Sequence, residues 1–270
     1  MSHPLDGCRE KIKRANEHIF QIHHDVFVGG KVPAPDNPVL TQYDPETSSL
    51  IFTCQGPVPI LPLSFSILSG EVTYQLRSAL DHLVYQLIVV KTKQPPTFPS
   101  AFPIVGKGKM TKRGWRSASD EYVAQTSRLE QDISSAAETI IKGLQPFHRG
   151  ASYDEDPLWL LHELNNTDKH RLLLLTVHSL TLCKFTVTGR DKTIEVTFPQ
   201  RVRFEDNAEI GRWPADQSFG EPDVSMNARL SVDIAFKEIL GRKDESVIPC
   251  LTQLANYVQG IVESFAPEFG

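Results

Sequence analysis

The 270-residue chain is poor in sulfur, and what it has is unpaired in sequence. Its four cysteines, Cys8, Cys54, Cys183 and Cys250, are scattered without a CxxC pair. That argues against a zinc ribbon or a disulfide framework and for small, reduced hydrophobes. No run of about 18 apolar residues occurs, so nothing reads as a membrane span. The opening MSHPLDGCREKIKRANEH lacks an apolar h-region, so no secretory signal is expected and a cytoplasmic location is the default. GxSxG, HExxH, GxGxxG and GxxxxGK[ST] are all missing, which removes support for serine hydrolases, zinc proteases, dinucleotide enzymes and P-loop enzymes; no cofactor is expected. The formal charge of −5 gives no whole-molecule attraction to polyanions, so any nucleic-acid binding must come from a local patch.

What is present reads as an ordinary globular composition, long enough for a substantial core. Residues 5–26 carry apolar positions at helical spacing, and two extended segments follow near 38–44 and 48–54. A long helix is predicted over 66–92, stopped by Pro95 and Pro96. A second is predicted over 120–143, capped by Ser119 or Asp120, and a third from Pro157 to about Thr176. Residues 180–237 alternate apolar with polar and predict an antiparallel meander; an amphipathic helix over 247–266 closes the chain. Helices on both sides of a strand block, with no βαβ alternation, predict one α+β domain over 1–270: a helical core at about 60–176 with the last helix, and a meander packed on it.

The stretch LRSALDHL (76–83) sits in the first long helix. At about 100° per residue from Leu76, Val72, Ala79, Leu80, Leu83, Leu87 and Val90 form the core stripe. Arg77 and Asp81 are i,i+4 neighbours at about 100° and 140°, while His82 lies near −120° on the other flank. The plain structural account is an ion pair and a polar edge. Arg-Ser-Ala-Leu-Asp-His also resembles the Arg-x4-His motif of the HEPN (higher eukaryote and prokaryote nucleotide-binding) ribonucleases. That resemblance implies a HEPN-like helical bundle, metal-independent endoribonuclease activity of the toxin or defence kind, and a cleft formed across a homodimer. It assigns Arg77 to the scissile phosphate and His82 to proton transfer, roles that a guanidinium fork and an imidazole suit. Because the two diverge by about 140° on a regular helix, the assignment requires a second copy or a distorted turn.

The third helix carries LWLLHELNNTDKHR (158–171), in which Asn165 and Asp168 fall on the apolar stripe. Each needs a partner, since an unpaired buried polar group costs on the order of 1–3 kcal/mol. Asp168 is expected to meet Arg77, or locally Lys169 or Arg171, and with Asn165 and Asp81 to support the catalytic pair. An alternative is a helical-bundle metal-binding protein using His82, His162 and His170, although no HxxxH or ExxH spacing is present.

GKGKMTKRGWRS (106–117) concentrates Lys107, Lys109, Lys112, Arg113 and Arg116 around Trp115. Five cations beside a stacking ring suit a single-stranded RNA backbone and a splayed base; the plain account is a solvated loop. His148 and Arg149 in the next loop are expected to extend the patch. A third possibility is a non-catalytic ligand-binding or interaction module.

Overall fold

The helical and extended periods fold into a mixed α+β structure with small antiparallel sheets. The computed structural model describes residues 3–32, 39–54, 59–112, 114–181, 183–188, 193–198, 202–203, 207–215, 223–226, 231–237, 239–241 and 245–270. Helix α1 (Asp6–Phe27) buries Cys8, Ile12, Ala15, Ile19, Ile22 and Val26, a single i, i+3/i+4 stripe. Helix α2 (Leu63–Thr92) buries Val72, Leu76, Ala79, Leu80, Leu83, Val84, Leu87 and Ile88. Its buried band is broad enough to pack on α1, on α6 (Pro157–His170) and on α7 (Val247–Ser264). Burying one such leucine is worth about 1.5–3 kcal/mol, so these four helices hold most of the hydrophobic stabilisation. Cys8, Cys54 and Cys250 are buried in the core. Among the described residues no helix is long and apolar enough to cross a membrane.

Three boundaries differ from the sequence expectation. The helix predicted over 120–143 is three: α3 (Ala118–Thr126), α4 (Leu129–Asp132) and α5 (Ser135–Gly143). Serines cap the first and the last of the three. Ser117 Oγ, not Ser119 or Asp120, caps α3 by accepting from the Asp120 N–H at 3.1 Å, and Ser134 Oγ caps α5 by accepting from the Ala137 N–H at 3.0 Å. Between them Ile133 is extended and buried. Helix α6 starts at Pro157 as expected, with Asp156 as its cap, but ends at His170 rather than near Thr176. Beyond it Leu173 is buried while Leu172 and Leu174 face solvent, a period of two that belongs to extended chain.

The strand region is not one meander. Strands β1 (Val39–Asp44) and β2 (Ser49–Cys54) pair with β9 (Glu209–Pro214). A second sheet has the order β10 (Asp223–Met226), β6 (Cys183–Thr188), β7 (Thr193–Phe198). The third runs β12 (Glu245–Ser246), β11 (Ser231–Phe236), β5 (Leu175–Thr181), β8 (Val202–Arg203). A two-stranded hairpin is marginal alone; β9 completes the N-terminal one, opposing Trp213 to Leu50. The short hairpin β3 (Lys109–Thr111) and β4 (Gly114–Arg116) stands apart and carries the basic stretch.

Candidate functional site

The Arg77–Asp81 pair grips the polypeptide backbone. Arg77 Nη2 donates to the Phe102 carbonyl at 2.6 Å and lies 2.9 Å from Asp81 Oδ1, which also accepts from the Phe102 N–H at 2.9 Å. Both polar groups of one peptide residue are thereby satisfied by one turn of α2. Further along the same segment, buried Gln145 donates to the Pro103 and Ile141 carbonyls and accepts from the Val105 N–H. The Val105 carbonyl accepts from the Phe147 N–H. Residues 102–106 are thus inlaid between α2 and the end of α5, with side chains serving where no strand partner exists. Burial lowers the Arg77 pKa and the Asp81 charge acts against that shift; Arg77 Nη1 is buried with no hydrogen-bond partner.

His82 does not join Arg77. Its ring faces α1, so close to Gly7 that a Cβ there would lie 2.3 Å from His82 Cε1. The Gln86 amide meets His82 Nε2 at 3.0 Å, and His82 Nδ1 is buried without a partner. Burial, with Lys11 adding to it, lowers the His82 pKa. The expected catalytic pair is therefore divided between two faces of α2 within the chain. The physical reason is the pitch: five residues on a regular helix cannot share one exposed face, and α2 is regular here.

The metal alternative fails in the same way. His82 lies on the α1 side, His162 Nε2 meets the Asn166 amide at 2.9 Å, and His170 is exposed at the end of α6. Among the described residues no group of three or more His, Cys, Asp or Glu is placed to hold a metal. Asn165 is buried as its position predicts. Asp168, however, makes no ion pair with Arg77, Lys169 or Arg171 among the described residues; Arg77 pairs with Asp81 instead. Asp168 packs against Gly70 of α2, where an added Cβ would fall 2.1 Å from its Oδ1. Burial raises the Asp168 pKa, and the neighbouring Glu71 raises it further. Neither residue supports an Arg77–His82 pair.

Arg77 does share a cleft with another histidine. A cleft of about 470 Å³ is walled by Arg77, the 101–109 segment, Glu121, Gln125, Trp159 and His162. Trp159 stands edge-on to Tyr153, with ring centroids 5.3 Å apart, and lies 5.3 Å from the His162 ring. Burial pushes the His162 pKa down to about 4, helped by the charges of Arg77 and Lys169, so its imidazole is neutral near pH 7. Lys107 lies over the Tyr153 ring at 5.9 Å.

The basic stretch forms the mouth of this cleft. Lys109 and Gly108 line it, and a Cβ on Gly108 would lie 2.7 Å from Trp115 Cζ2, so the indole sits against a residue of the cleft wall. Trp115 is 68 % exposed, and Met110 and Lys112 face solvent too. Lys109 and Arg116 are less available than the sequence suggests, since both pair with Glu121. Arg113 lies outside the described residues. His148 is bonded to the Lys142 carbonyl and Arg149 to Asp156, so neither extends the patch. Glu121, Gln125 and His162 were not expected at a site with Arg77, because no local pattern signals a contact across 40 or more residues. Comparison with models of known families, with curated proteins and with solved structures finds no match to this chain.

Proposed function

We propose that the chain is a single-stranded nucleic-acid binding module, with RNA as its ligand and the cleft beneath the β3–β4 hairpin as its site. The observation that carries this reading is the exposed Trp115 set against Gly108 of the cleft wall, with Lys107 in the same wall and Lys112 exposed on the same hairpin. Cations that track a backbone beside a ring that stacks a base are the two parts of sequence-tolerant strand binding. The cleft is built from one chain, so this reading needs no second copy. It assigns no strand cleavage: His82 lies outside the cleft.

The test is fluorescence anisotropy with a labelled single-stranded RNA 12-mer, measured over a range of salt. Wild type should bind with a strong salt dependence. Trp115→Ala should weaken binding by roughly 5- to 150-fold, the range for loss of one stacked base. Lys107→Gln should reduce the salt slope by about 0.7. His82→Ala should bind normally, and the RNA should be recovered intact. Binding that ignores both Trp115 and salt would refute the reading. Cleavage that disappears in His82→Ala would replace it with the endoribonuclease that LRSALDHL resembles.

A further inference from the structure

Glu121 is an unusual wall residue for a cleft that attracts anions. It lies in the first turn of α3, where a carboxylate is favoured by the helix dipole, and is only 4 % exposed. Its oxygens hold Lys109 Nζ at 2.5 Å and Arg116 Nη1 at 3.0 Å, and the Gln125 amide donates to it at 2.9 Å. Burial pushes its pKa up, but Gln125 and the two cations outweigh burial, so the group is held below the ordinary glutamate value and stays ionised. Both cations belong to the hairpin that carries Trp115. The carboxylate therefore occupies the position, between two cationic donors, that a ligand phosphate would take.

We infer, on the reading that the cleft binds single strands, that Glu121 is a resident counter-anion that sets specificity. It cancels one of the two hairpin charges beside it, so phosphate alone is a poor ligand. A strand succeeds because a base on Trp115 adds what the cancelled charge withholds. Glu121 thus rejects simple polyanions while admitting polyanions that bear bases.

The experiment measures the labelled RNA 12-mer and inorganic polyphosphate of similar charge against wild type, Glu121→Gln and Glu121→Gln/Lys109→Gln between 25 and 200 mM KCl. Glutamine keeps the shape and an acceptor for Arg116 but removes the charge. One extra phosphate contact should steepen the log–log salt slope by about 0.7, which amounts to roughly eightfold in affinity at 50 mM salt relative to 1 M. Polyphosphate should gain by that factor and RNA by less, so discrimination between them falls. The double variant restores the local charge balance and should return both ligands to wild-type behaviour. Weaker binding of both ligands at unchanged slope would overturn the inference and leave Glu121 an anchor of the hairpin. An unchanged RNA-to-polyphosphate ratio would also overturn it. If wild type and variants bind neither ligand, the cleft reading itself fails and takes the inference with it.

Discussion

Replacing Asp81 by alanine separates a backbone clamp from an active-site support. In the folded chain Asp81 Oδ1 is the acceptor for the N–H of Phe102, a residue only 1 % exposed. Removing it orphans that N–H, a loss of about 1–3 kcal/mol. The same change strips Arg77, whose side chain is 13 % exposed, of its counter-charge. Because the Asp81 side chain is itself 36 % exposed, solvent screening holds that part to about 1 kcal/mol. Together the cost is about 2–4 kcal/mol, which in a chain of this length lowers the melting temperature by roughly 4–7 °C. Circular-dichroism melts and urea titrations measure it. An Arg77→Met/Asp81→Ala cycle should show a double cost smaller than the sum of the singles, since both act on Phe102. An Asp81→Ala melt within about 1 °C of wild type would refute the clamp, as would loss of RNA cleavage at unchanged stability.

Gly7→Ala should destabilise the protein by about 1–2 kcal/mol even though alanine favours helix, because the new methyl meets the His82 ring. In a His82→Ala background the same change should become neutral or stabilising, and thermal melts of the four proteins decide it. His162 predicts acid sensitivity. Its pKa is about 4 in the fold against an ordinary 6.5, so below pH 6.5 the unfolded chain takes up a proton that the folded chain refuses. Stability should therefore fall as pH drops from about 6.5 toward 4, and His162→Asn should flatten that part of the pH–stability profile measured by urea titration. An identical profile in the variant would show that His162 is not the group responsible.

Much of the fold is legible in the chain because helical and extended periods are local properties. The stripes of α1, α2 and α7 and the paired strands near 39–54 follow from spacing alone. The break before α5 is also local, but it rests on the Ser134 hydroxyl, which competes with side chains equally able to continue a helix. The end of α6 was hidden because a run of leucines fits either period until one face is buried. Sheet order was beyond reach, since which strand completes β1–β2 depends on a partner more than 150 residues away.

The site divides along the same line. Sequence alone determined that Arg77 and Asp81 are neighbours one turn apart, that His82 points elsewhere, and that the stretch 106–117 concentrates charge around Trp115, because helix pitch and composition need no tertiary information. Only the tertiary structure decided what those groups meet. It laid Phe102 across Arg77 and Asp81, stood His82 against Gly7, and brought Glu121 to two cations of the hairpin. A charged side chain acquires its role from the partner that burial forces on it, and that partner is chosen by the packing of the whole chain.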